Sequence, residues 1–160
     1  MSATATQPLL EVTDLVKHFP VKRGLLFDRE VDRVRAVDSV SFSVARGETL
    51  GLVGESGSGK TTAGRILVGL IPATSGTVSL FGHSITGPDG KAQLASVRSR
   101  LQFVFQDPFA SLNPRMRIGN AIAEPLDIAG THSRKERNDR VAELLELVGL
   151  PKNSVERYPH

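Results

Sequence analysis

The chain has 160 residues, with 20 Lys and Arg against 17 Asp and Glu, 39% apolar residues and no Cys. That length suits one domain able to bury about 68–70% of the surface its unfolded chain exposes. A 23% charged share and 15 Gly exclude the disordered, collagen-like and disulfide-scaffold classes. Without Cys there is no disulfide, thiolate metal site or Cys nucleophile, and a net charge of +3 with acids and bases interspersed argues against a nucleic-acid partner.

No apolar run approaches the ~18–20 residues that span a bilayer. Met1 to Pro8 is rich in Ser, Thr, Ala and Gln and lacks an apolar h-region, so it reads as a disordered N-terminus and not as a signal peptide. Leu9 to Phe19 reads as a strand with Val12, Leu15, Val16 and Phe19 as inward positions. From Pro20 to Arg35, charged residues surround an apolar Leu25-Leu26-Phe27. This is expected as a solvated loop or hairpin whose triplet tucks back on the sheet, or as a contact surface for a partner.

Val40, Phe42 and Val44 alternate with Ser41 and Ser43, the period-2 pattern of a half-exposed antiparallel strand. After a turn at Arg46-Gly47-Glu48, the nearly all-apolar run Thr49 to Val53 predicts a strand covered on both faces. Ala63, Ile66, Leu67 and Leu70 then share one helix face, with Gly69 and Pro72 ending the helix. A turn at Thr74-Ser75-Gly76 leads to a strand through Val78 and Leu80 to Phe81, and Pro88-Asp89-Gly90 marks another turn. Leu101, Phe103 and Phe105 alternate as a further strand, followed by a polar, Pro-broken loop from Gln106 to Pro114. Ser133 with Glu136 forms a capping box for a last helix. Val141, Leu144, Leu145 and Val148 make its buried face, and Gly149 and Pro151 lie beyond its end. The alternation argues for an α/β fold.

The chemistry lies in Gly54-Glu55-Ser56-Gly57-Ser58-Gly59-Lys60-Thr61, which matches the P-loop (Walker A) pattern G-x-x-x-x-G-K-[ST]. An apolar run precedes it and an amphipathic helix follows, as the motif requires. Glycines let the backbone curl so that successive N–H groups converge on phosphate oxygens. The helix beginning near Lys60 adds its dipole and orphan N–H groups. Lys60 is expected to reach the β- and γ-phosphates and the Thr61 hydroxyl to ligate Mg²⁺. A Gly/Ser turn would match by accident in on the order of one in 200 chains of this size. The motif alone leaves kinases, GTPases, motors and transporters open. The four His, at positions 18, 83, 132 and 160, show no metal-ligand spacing and read as scattered surface residues.

A family resemblance narrows the choice. The segments Leu15 to Gly24, Arg35 to Phe42, the P-loop, and above all Leu101-Gln102-Phe103-Val104-Phe105-Gln106-Asp107-Pro108-Phe109-Ala110-Ser111-Leu112-Asn113-Pro114-Arg115-Met116 resemble an ABC transporter ATPase subunit. The likeness is to the second (F-type) ATPase of dipeptide and oligopeptide importers, whose relatives import nickel and glutathione. It runs from about Leu9 to His160, so residues 9–160 are expected to be the N-terminal portion of an ATPase domain. In that portion 20–35 is an insertion, 106–114 the Q-loop and 115–160 part of a helical subdomain, beside an N-terminal antiparallel β-subdomain. The resemblance implies that Phe19 stacks on adenine, where a strand-end core residue is the alternative. It implies that Gln106, otherwise a turn residue, senses the γ-phosphate and Mg²⁺ and contacts the membrane partner. The implied nucleotide contacts are Phe19 and Gly54, Glu55, Ser56, Gly57, Ser58, Gly59, Lys60, Thr61 and Thr62, with Lys60 and Gln106 catalytic and Thr61 and Gln106 at the metal.

The resemblance also implies ATP and Mg²⁺ as cofactors. Its implied partners are transmembrane permease subunits, a second ATPase subunit in a heterodimer and, indirectly, an external solute-binding protein. The implied place is the cytoplasmic face of the bacterial inner membrane. The family pattern continues beyond Arg157-Tyr158-Pro159-His160 into a signature motif, a Walker B aspartate with its catalytic glutamate, a D-loop and a switch histidine. The chain therefore reads as a fragment or truncated product of a longer ATPase. Neither Asp107 nor Glu55 can substitute for the missing carboxylates. Other functions weighed are a soluble P-loop enzyme such as a small-molecule kinase, a non-transport ABC protein acting on nucleic acid, and a non-catalytic nucleotide-binding module.

Overall fold

A computed structural model describes residues 7–23, 29–107 and 111–160, apart from the side chains of 22, 23 and 29–31. Most of the proposed disordered N-terminus, the Leu25-Leu26-Phe27 triplet and Pro108-Phe109-Ala110 lie outside the described residues. The chain divides into two units, Met1–Phe103 and Val104–His160.

In the first unit, β1 (Leu10–Arg23), β2 (Arg29–Val44), β3 (Ser75–Leu80) and β4 (His83–Ser84) form an antiparallel sheet in the order β2-β1-β3-β4. The 20–35 segment is largely strand: β1 and β2 stay paired through Val21↔Asp32 to Arg23↔Arg29, which selects the hairpin over the loop. The β1 alternation is reset partway along. Val12 and Leu15 are both buried, although odd spacing would put them on opposite faces. Asp14 between them has φ +47° at a register shift, a bulge that turns the strand's face over. Ser41 Oγ accepts from the Asp14 N–H at 2.8 Å, and Gly76 of β3 lies so close that a Cβ would come within 2.3 Å of the Asp14 carbonyl oxygen.

Helix α1 (Lys60–Leu67) packs Ala63 and Ile66 against Val12, Leu15, Val37 and Val78 of the sheet. Leu70, expected on that face, is exposed because α1 ends at Leu67 and Gly69 turns the chain at φ +70°. Gly69 also makes room for Leu94 of α2 (Gly90–Val97), where a Cβ would lie 2.1 Å from its Cδ2. The motif reading missed α2, whose buried Leu94 and Val97 stand one turn apart behind the Pro88-Asp89-Gly90 turn.

Two expected strands are absent from the sheet. Neither Thr49–Val53 nor Leu101–Phe105 is assigned as strand, and the sheet is made of β1 to β4 alone among the described residues. Leu50, Leu52, Val53, Val104 and Phe105 are exposed instead of covered, with Val53 95% exposed. An apolar run becomes a strand only where a neighbour takes its N–H and C=O groups, and no described segment pairs with Thr49–Val53 in this way. Phe103 packs near α1, its ring 3.6 Å from where a Gly64 Cβ would lie.

The second unit contains α3 (Ile118–Ala129), α4 (Arg134–Leu147) and a 3-10 turn, Lys152–Glu156. Ala123, Val141 and Leu145 form its core, with Ile118, Ile122 and Val155 packed around them. The Ser133–Glu136 capping box forms as expected. Val148 is exposed, because it caps α4 where Gly149, at φ +74°, turns the chain away. Helix α3, unassigned from sequence, carries Pro125 in its interior, which hides the Ile118–Ile122–Ala123 spacing. Asp127 of α3 pairs with Arg137 Nε of α4 at 2.7 Å.

Candidate functional site

The loop between β2 and α1 begins at a turn in which Glu48 Oε2 accepts from the Ala45 N–H at 2.6 Å. Beyond residues 49–53, which have no regular secondary structure, residues 54–59 curl into the start of α1. Gly57 and Gly59 take φ of +84° and +91°, a region open to glycine and strained for other residues. The Ser58 N–H donates to the Glu55 carbonyl at 3.2 Å, closing a tight turn. Around Gly57 the loop is open: a Cβ there would meet nothing within 4 Å. Around Gly59 it is closed: a Cβ would collide with the Ala36 carbonyl of β2. The sheet therefore seats the rear of the loop and leaves its front accessible.

Lys60 folds back over this curl. Its Nζ donates to the Gly54 and Glu55 carbonyls, both at 2.6 Å, and to Ser58 Oγ at 3.2 Å. The ammonium is thus fixed at the mouth of the loop by groups of the loop itself. Helix α1 starts at Gly59 with no side-chain cap and no acidic residue in its first turn, so its positive end faces the same place uncompensated. The nearby hydroxyls are those of Thr61, exposed, and Thr62, half-buried. A fixed cation, an uncapped helix start and glycine-permitted curvature form an arrangement suited to a polyphosphate. Gly54, Glu55, Ser56, Gly57, Ser58 and Gly59 form this curl, and Lys60, Thr61 and Thr62 are the first turn of α1 that follows it.

Phe19 is not an inward residue. It is 39% exposed on β1 opposite Val34, with Lys17 Nζ 4.9 Å from its ring centroid. Val34 stands next but one to Ala36, the seat of Gly59, so β2 carries the ring's partner and the loop's seat together. Lys17 had no sequence signal, since its place over the ring follows from the pleat. Gln106 is exposed in a bend at the start of the second unit. Of the four His, His18 is half-buried and not a surface residue, its Nε2 3.9 Å from Asp38 Oδ1. No helix among the described residues is long and apolar enough to cross a membrane.

Comparison with known proteins places this loop in context. A peptide import ATP-binding protein of Brucella abortus (strain 2308), which carries that name provisionally, is 56% identical over 96% of this chain and 46% of its own length. The oligopeptide transport ATP-binding protein AppF of Bacillus subtilis (strain 168) is 47% identical over 100% of this chain and 48% of its own. The chain spans about half the length of the curated relatives it matches. Among solved structures, the ATP-binding cassette MJ0796, a dimer in a post-hydrolysis state bound to ADP and Pi, superposes with a TM-score of 0.76 at 26% identity. That match covers 94% of this chain and 61% of the other. The sheet and helices described above are thus an ABC cassette fold of the α/β P-loop class. The model of the family described as ABC transporter matches residues 37–160, and the chain belongs to that family.

Proposed function

We propose that the chain is the nucleotide-binding part of the ATP-binding subunit of an importer for peptides or related small solutes. The observation that carries this reading is the Lys60 ammonium held at the mouth of an open, glycine-built curl, in front of an uncapped helix start. The names of its relatives support the peptide class: one is a dipeptide transport ATP-binding protein of Escherichia coli (strain K12), 42% identical over 99% of this chain. In this reading Gly54–Thr62 hold the phosphates of ATP, Thr61 and Gln106 stand at Mg²⁺, and Phe19 stacks on the base. Mg²⁺ would supply charge neutralisation at the phosphate oxygens. Residues 9–160 are then the N-terminal portion of the ATPase domain, with the Q-loop at 106–114 and part of the helical subdomain at 115–160. Permease subunits and a second ATPase subunit are the proposed partners, with an external solute-binding protein acting through the permease. The proposed location is the cytoplasmic face of the inner membrane.

The test is ATP titration calorimetry on the chain and on Lys60→Ala. Removing one charge-assisted contact costs about 1.5–3 kcal/mol, so affinity is expected to fall more than tenfold. Unchanged affinity would overturn the assignment of the loop.

A further inference from the structure

The second unit contains a cavity of about 410 Å³ that the nucleotide reading does not use. The start of α3, the first half of α4 and the 3-10 turn line it, and it is open to solvent. Four cations line it, Arg117, Arg134, Arg137 and Lys152, against one carboxylate, Glu156. Glu156 pairs with Arg117. From outside the lining, Asp127 pairs with Arg137 at 2.7 Å, and Glu146 lies 3.6 Å from Lys152. Arg134 has no ion-pair partner among the described residues, so a positive charge is left over after every such carboxylate is counted.

Cations gathered around one concavity, with Arg134 lacking an ion-pair partner among the described residues, favour an anion placed among them. Guanidinium groups present paired N–H donors that match phosphate oxygens, and a phosphate carries more charge per volume than a carboxylate. The Asn120 and Asn138 carboxamides also line the cavity, and α3 opens onto it without a side-chain cap. At this volume the cavity falls at the small end of ligand pockets, about 300–1,000 Å³, which suits a compact molecule.

We propose that this cavity binds a small phosphate-bearing anion, with Arg134 as its principal contact. The lining residues all belong to the second unit and the Gly54–Thr62 loop to the first, so the test reads the two by separate amides. Sodium phosphate is titrated at constant ionic strength into the ¹⁵N-labelled chain and into Arg134→Gln, with glycerol phosphate and succinate as parallel probes. The expected result is saturable shifts at the Gly119, Asn120 and Asn138 amides with both phosphate probes. Arg134→Gln is expected to weaken binding about tenfold, the factor for one charge-assisted hydrogen bond. An unshifted Glu136 amide in the variant would show that the start of α4 is intact. Non-saturable shifts, an unchanged affinity in Arg134→Gln, shifts confined to Gly57 and Gly59, or equal binding of succinate would each overturn the proposal.

Discussion

Gly59 and Ala36 meet backbone to backbone: a Cβ on Gly59 would lie 2.0 Å from the Ala36 carbonyl oxygen, at a φ of +91°. The contact locks the start of α1 onto β2 and so fixes where the loop's N–H groups point. Gly59→Ala is expected to incur both the left-handed strain and the collision. A destabilisation of about 1–3 kcal/mol is expected, read as a lower urea midpoint at unchanged m-value, together with loss of ATP binding. Full retention of both would show that the loop does not depend on its seat against β2.

Phe19 offers an exposed ring beside Lys17, outside the buried cluster. Stacking of this kind is worth about 0.5–1.5 kcal/mol, so Phe19→Ala is expected to weaken ATP binding about two- to tenfold. Phe19→Tyr keeps the ring and is expected to be neutral or better. Intact affinity with a sharp fall in melting temperature would assign Phe19 to packing.

The Ser133 hydroxyl accepts from the Glu136 N–H while the Ser133 N–H donates to Glu136 Oε2 at 2.8 Å, and the Ser133 side chain and N–H beside it hold the Glu136 carboxyl below the ordinary carboxylate range. A folded pKa below the unfolded value means that the contribution to stability is fully present above the ordinary Glu range. It is lost as pH falls through the folded value. The difference in urea midpoint between the chain and Glu136→Gln is therefore expected to shrink between pH 7 and pH 3. Ser133→Ala removes the cap itself and is expected to cost about 1 kcal/mol. A difference that stayed constant with pH would show that the carboxylate charge is not what the cap uses.

The 160-residue polypeptide carries the loop and Gln106. The family resemblance assigns the chemical step to a glutamate, a histidine and a signature motif distinct from these residues. Ground-state contacts give occupancy; rate needs groups that act on the transition state. The polypeptide alone is expected to bind Mg-ATP weakly and to release no phosphate. Turnover near 1 s⁻¹, at the low end for enzymes, that disappeared in Lys60→Ala would overturn this assignment of roles.

The local patterns were legible without coordinates: the Gly54–Thr61 motif, the Ala63–Ile66 face and the Ser133–Glu136 cap each depend on residues a few positions apart. Such features are governed by short-range sterics and hydrogen bonds, which spacing reports directly. Only the tertiary structure decided the rest, because it depends on partners distant in the chain. Thr49–Val53 has the apolar character of a strand yet pairs with nothing described, and Phe19, expected inward, is exposed beyond further register shifts of β1 between Leu15 and His18. The seat of Gly59 on Ala36, Lys17 over Phe19, and the gathering of Arg117, Arg134, Arg137 and Lys152 around one cavity follow from how strands register and helices pack. Those long-range contacts leave no periodic trace in the sequence.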